Sequence, residues 1–320
     1  MSSVRVLAAV LAVWALPCAA QNYPNKPVRM IVPFAAGGPT DILARMMAHK
    51  MTESWGQSVL IDNRGGGGGM IGADAAAKSA PDGYTIFLGG ITTLVMSTYI
   101  HKNRPYDDRR DFRPVTFTTR QPLLLMAHPS LPVKSLKQFI ALAQARPGDI
   151  NYATSGPGGS GHLAGVLLSG MTKINIVHVP YRGAAPGIND LIAGQVQTMF
   201  GSPLAVVGHI RAGRIHALAI TGEKRSAALP QVPTFAESGL PGYDASTWNG
   251  IVVPTGTPRP VIDRLHGEIV KVLRDPTVRE RLAVDGSEPI GSTPEEFAKF
   301  IDAEHVKWGK VVRDAGIRIE

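Results

Sequence analysis

The chain has 320 residues, 44% of them hydrophobic and 18% charged, a balance that excludes a disordered chain and suffices to bury one or two cores. The net charge of +8 comes from scattered Lys and Arg and aromatics are only 6%, which argues against a nucleic-acid partner. A positive balance of this kind suits attraction of small anions instead.

In chain order, MSSVRVLAAVLAVWALPCAAQ places an arginine before a short apolar run that ends in small residues around Ala19. This reads as a secretory signal, residues 1–20, cleaved after Ala20. The apolar run falls short of the roughly 20 residues a membrane helix needs. Cleavage takes away Cys18, the only cysteine, so the exported chain makes no intramolecular disulfide and depends on its core for stability.

VRMIVPF, SVLIDNR and YTIFLGG read as buried strands, separated by the helical patterns TDILARMMAHKMTESWG and GADAAAKSAPDG. The first helix starts with Pro39, has Asp41 placed to cap freed amides, and puts Ile42, Leu43, Met46, Met47 and Met51 on one apolar face. Such alternation implies a mostly parallel sheet with helices on both sides.

The pattern restarts after PLLLMAHPSLP. SLKQFIALAQARPG is a helix capped by Ser135, and INYATS, NIVHVPY, VQTMF and IHALAIT supply strands with helical crossovers. A proline-punctuated connection, GEKRSAALPQVPTFAESGLPGYD, leads to the strand GIVVP and two helices. One carries Val261, Ile262, Leu265, Ile269, Val272 and Leu273 on a stripe. The last opens with a capping box at Thr293–Glu296 and presents Phe297, Phe300, Ile301, Trp308 and Val311. The expected fold is therefore α/β with two lobes: lobe I from 21–125 and 225–320, lobe II from 126–224. Ligands bind between such lobes, at strand carboxyl ends and helix N-termini.

Gly67-x-Gly69-x-x-Gly72 and Gly156-x-Gly158-x-x-Gly161 both lie between a strand and a helix. A dinucleotide loop also needs an acid at the end of the next strand, and those strands end in Gly89-Gly90 and in Val179-Pro180-Tyr181. Neither match is a Walker loop, so nucleotide binding is not expected. Glycines at such turns still let backbone amides approach an anion. PFAAGGPTD, the five-glycine run and TSGPGGSGH qualify, the last adding the hydroxyls of Thr154, Ser155 and Ser160. Beyond them, Arg182 beside Tyr181 can fork onto a carboxylate, or stand as an ordinary surface arginine. Trp248 is a cleft wall or, preferably, a packing residue.

Ser160 and His162 raise a hydrolase alternative, but the fifth position of the nucleophile elbow is His162 rather than Gly. Residues two apart at a helix start also face apart. No histidine pair stands at i and i+4, so no metal and no catalytic set is expected.

PFAAGGPTD, the Asn-Arg-plus-glycine loop before IGAD, APDGYT, HPSLPVKSL, NYATSGPGGSGHLAG, VHVPYRG, GQVQTMF, RAGRIHALAIT, KRSAALPQVPTFAESGLPGY and PTGTP together resemble the Bug, or tripartite tricarboxylate transporter, substrate-binding proteins. The resemblance runs through the whole mature chain in order. It implies a periplasmic binding protein of the type II, Venus-flytrap kind, without cofactor. Such a protein captures a di- or tricarboxylate or an aromatic acid for a membrane permease, and a monomer is expected. By position it implies ligand contacts at Phe34, Ala35, Ala36, Gly37, Gly38 and Asp41 in the first lobe and at Thr154, Ser155, Gly158, Ser160 and His162 in the second. Tyr181 and Arg182 stand beside the latter, and Gly90, Gly201 and Ser202 complete the set. Many relatives carry an aspartate where this chain has Gly201, which disfavours an ammonium-bearing ligand here. The alternatives are a sensing partner of a two-component kinase and a secreted serine hydrolase.

Overall fold

A computed structural model describes residues 23–181, 183–284 and 286–315. The expected signal segment and Arg182 lie outside them. β1 (Val28–Val32) runs into α1 (Pro39–Trp55), and β2 (Val59–Asn63) passes through the glycine run into α2 (Met70–Ala77). β3 (Thr85–Gly90) leads through a π-helical turn, Thr92–Met96, into the short α3 (Ser97–Ile100). β4 (Phe112–Gln121) is followed after two residues by β5 (Leu124–Ala127). The chain then alternates: α4 (Leu136–Ala145), β6 (Asn151–Thr154), α5 (Ser160–Thr172), β7 (Val177–Pro180), α6 (Ala184–Ile192), β8 (Thr198–Gly201), α7 (Pro203–Arg211) and β9 (His216–Ile220). β10 (Thr247–Pro254), α8 (Arg259–Arg274), α9 (Pro276–Val284), β11 (Glu288–Pro289) and α10 (Pro294–Ala315) complete the chain.

Two sheets result, ordered β11-β4-β10-β3-β1-β2 and β7-β6-β8-β5-β9. β1 pairs in parallel with β2 and β3, and β6 with β7 and β8, as the alternating pattern requires. β10 instead runs antiparallel to β3 and β4, and β5 antiparallel to β8 and β9. These antiparallel strands carry the chain between the sheets, once from β4 to β5 and once from β9 back to β10. The two passages are stitched: the Leu123 amide donates to Thr221 Oγ1 (2.8 Å) and the Thr221 amide to the Leu123 carbonyl (2.8 Å).

Each sheet is covered on both faces. One apolar cluster holds α1, α8 and α9 against the first sheet through Leu43, Met47, Met51, Leu265, Ile269 and Leu282. A second holds α6 and α7 on the other sheet through Leu191 and Val206. The third runs across both lobes and includes Phe87, Phe139, Phe200, Trp248 and, from α10, Phe297 and Trp308. α10 packs on the π-helical turn of one lobe and on α5 of the other. Glu304 anchors it, accepting from Trp248 Nε1 (2.9 Å) and Trp308 Nε1 (3.0 Å).

The single apolar face expected of α1 is divided. Leu43, Met47 and Met51 are buried, whereas Ile42 is 41% exposed and Met46 only half-buried. β4 and α9 are also additions to the expected elements. β4 reads FRPVTFTTRQ, where Pro114, three threonines and the polar Arg113, Arg120 and Gln121 mask a strand. It is held because its buried hydroxyls find carbonyls, Thr116 Oγ1 on Ser292 (2.7 Å) and Thr118 Oγ1 on Asn249 (2.8 Å).

Candidate functional site

The turn after β1 is built around a buried carboxylate. Asp41, 1% exposed, accepts from the Gly37 amide (2.8 Å) and Arg45 Nε (2.9 Å) on one oxygen and from Asn63 Nδ2 (2.9 Å) on the other. Asn63 also donates to the Phe34 carbonyl (3.1 Å). Burial pushes the Asp41 carboxyl up, but the bonds from Arg45, Gly37 and Asn63 outweigh it and hold the group below the usual carboxylate range. With both oxygens engaged, Asp41 shapes the loop from behind. Phe34, Ala35, Ala36 and Gly37 are exposed in front of it. Gly37 takes φ +84°, a left-handed conformation suited to glycine.

The turn after β6 mirrors this arrangement with neutral groups. Thr154 is fully buried, and its hydroxyl lies 2.7 Å from His178 Nε2. His178 stacks on His162 at 4.0 Å between centroids, and His162 Nδ1 accepts from the Gly158 amide (3.1 Å). That bond commits His162 to the turn. Burial, and then the neighbouring His162, pushes His178 down to about 4, so it is neutral at ordinary pH. Burial lowers His162 as well.

Between the two turns opens a cleft of about 270 Å³. Phe34, Pro39, Thr40, Ile42 and Met46 line it from the first turn and α1, and Ser155, Gly159 and Ser160 from the second turn and α5. The hinge strands add Thr119, Gln121, Thr247, Trp248 and Asn249, the π-helical turn adds Thr92 and Thr93, and α9 adds Arg281 and Leu282. The N-termini of α1 and α5 both end on it, and neither N-cap, Gly38 or Gly159, offers a side chain to the first-turn amides. By contrast, Ser135 caps α4 and a Thr293–Glu296 box caps α10. Two helix ends with freed donors and partial positive charge therefore face one cleft.

Of the residues expected to touch ligand, Phe34, Gly90, Ser155 and Ser160 line the cleft, with Ala35 to Gly38 on the turn beside it. Thr154, Gly158 and His162 brace the second turn, as Asp41 braces the first. Gly90 lies against β10, where an added Cβ would come within 2.5 Å of the Trp248 carbonyl. Tyr181 is outside the lining and donates to Asp190 (2.6 Å). Gly201 and Ser202 are also outside it, and Met126 and Met199 methyls crowd Gly201 at 3.1 and 3.6 Å from a Cβ there. The five-glycine run is absent from the lining. Gly66, Gly67, Gly68 and Gly69 all take positive φ, and an added Cβ at Gly69 would meet Thr93 Cγ2 at 2.6 Å. Trp248, 2% exposed, both packs and forms a wall of the cleft. The threonines of β4 and the π-helical turn carried no sequence signal, since their meeting depends on how β3, β4 and β10 pair. No cluster of three or more metal-ligating side chains occurs among the described residues.

A family model described as tripartite tricarboxylate transporter family receptor matches residues 43–317. BugT of Bordetella pertussis is 39% identical over 307 residues, spanning 96% of this chain and 94% of that protein. Among solved structures, an R. palustris protein with adipate is 36% identical with a TM-score of 0.83, over 93% of this chain and 100% of that one. MatC from Rhodopseudomonas palustris with bound malate is 33% identical with a TM-score of 0.78, over 91% and 100% of the two chains.

Proposed function

Because the chain belongs to the tripartite tricarboxylate transporter receptor family, we propose that its cleft captures a small organic acid in the periplasm and hands it to the permease subunits of such a transporter. The adipate and malate held by two of its structural relatives support an acid as the ligand. The observation that carries the reading for this chain is the pair of helix N-termini, α1 and α5, without side-chain caps and facing across a cleft whose described lining holds no carboxylate. An acid placed there accepts from backbone amides and from Ser155 and Ser160 hydroxyls. Closure about the two stitched passages then excludes water and strengthens each bond.

Export runs through a cleaved signal at residues 1–20, where an arginine precedes a short apolar run that ends in small residues. The protein acts as a monomer and needs neither cofactor nor chemistry. His162 spends its Nδ1 on the Gly158 amide, which weighs against pairing with Ser160 as a hydrolase. Handover to a sensor kinase would use the same closed form, and the family assignment favours the permease.

A thermal-shift and calorimetric panel of organic acids tests the reading. Saturation at about 100 Kd should stabilise the fold by about 2.7 kcal/mol. Ser160→Trp, which fills the second turn, should abolish that shift. If no acid stabilises the protein, the ligand class is wrong; if Ser160→Trp binds normally, the ligand lies elsewhere.

A further inference from the structure

The exposed half of the α1 stripe needs an explanation. Ile42 and Phe34 are 41% and 37% exposed, yet both open into the cleft rather than onto a convex surface, and Met46 joins them one turn along α1. Ile91, at the start of the π-helical turn, and Leu282 of α9 close the same wall. Large apolar side chains left converging in a groove mark a surface that something apolar covers. At its edge stands Arg281, exposed and the one charged side chain among the described lining residues.

Taking the carboxylate-receptor reading as its basis, we propose that this cleft selects an acid with a hydrocarbon body and a second anionic end. One carboxylate sits at the two turns, the body lies on Phe34, Ile42, Met46 and Leu282, and the far carboxylate meets the Arg281 guanidinium. Apart from Arg281, the polar lining groups come from the turns, the hinge strands, the π-helical turn and Ser287 beyond α9, whereas α1 offers the body no hydrogen-bonding partner beyond Thr40 at its start. Thr93, moreover, already binds the backbone of Gly90 through its hydroxyl (3.2 Å). Hydroxyl groups along the middle of a ligand would therefore be desolvated against Ile42 and Met46 without repayment. An ammonium group would find no counter-charge among the described lining residues.

Calorimetry with the exported chain distinguishes this from the broader reading. The probes are saturated α,ω-dicarboxylates of increasing length, the monocarboxylates matching them, malate and citrate. Affinity for the diacids should rise by about fourfold per added methylene until the cleft is filled. Arg281→Gln should weaken the best diacid by about tenfold or more and leave its monocarboxylate partner unchanged, since only the former loses a charge-assisted bond. Ile42→Asn should weaken both. Arg281 is on the surface, so its replacement tests binding rather than folding. Tighter binding of malate or citrate than of the hydrocarbon diacids would overturn the selectivity while leaving the receptor reading standing. Equal losses for mono- and diacids in Arg281→Gln would overturn the role of Arg281. Failure of every acid would remove both.

Discussion

Asp41 and His178 perform the same task on opposite sides of the cleft, one with a charge and one without. Asp41 ties Gly37, Arg45 and Asn63 into the first turn, while His178 and His162 tie Thr154 and Gly158 into the second. The histidine side carries a pH signature. His178 is lowered from 6.5 to about 4 in the fold, so the unfolded chain takes up a proton that the folded one refuses. Its contribution to stability is complete above pH 6.5 and declines as pH falls toward about 4. Denaturant midpoints across that interval should fall with acidification, and His178→Gln should flatten the fall. Parallel curves for the two proteins would show that His178 does not titrate in this way. From sequence, both turns were legible because glycines, serines and threonines cluster at the ends of strands. Asp41 was expected to cap amides and does so at Gly37, but the partners that complete each brace, Asn63 and His178, were not legible, since they come from neighbouring strands.

At the scale of elements, the glycine run between β2 and α2 shows how backbone geometry accounts for a motif that invites a ligand. Gly69 stands at φ +94° with Thr93 and Pro33 pressed against it. Gly69→Ala should cost roughly 1–3 kcal/mol of stability through strain and overlap. Adding Thr93→Ser, which removes the overlapping methyl and keeps the hydroxyl on Gly90, should recover part of that loss in urea unfolding. A neutral Gly69→Ala would mean that the run is a tether without a packing role. Helices and the parallel strands follow from hydrophobic period, and so were readable in order. β4 escaped because its burial is satisfied through threonine hydroxyls, and α9 because its nine residues follow α8 after a single aspartate. The split face of α1 was hidden for a related reason. Ile42 and Met46 share the period of the core stripe, and only the position of the second lobe turns them toward a cleft.

Across the whole molecule, one wall of the cleft comes from each lobe and the floor from the strands that join them. Thr119 and Gln121 lie some 130 residues from Thr247 and Asn249 in sequence and meet through antiparallel pairing of β4 and β10. α10 spans both lobes, and its Glu304 fixes Trp248, which itself lines the cleft. The central claim is that an acid is held between the turn at Phe34–Gly38 and the turn at Ser155–Ser160. A crystal structure of the exported chain with its tightest-binding acid tests this most directly. The account requires a carboxylate within hydrogen-bonding reach of both turns and the ligand body against Ile42 and Met46. A ligand bound instead in the separate hollow beside Arg120, Lys224 and Ser226 would contradict it.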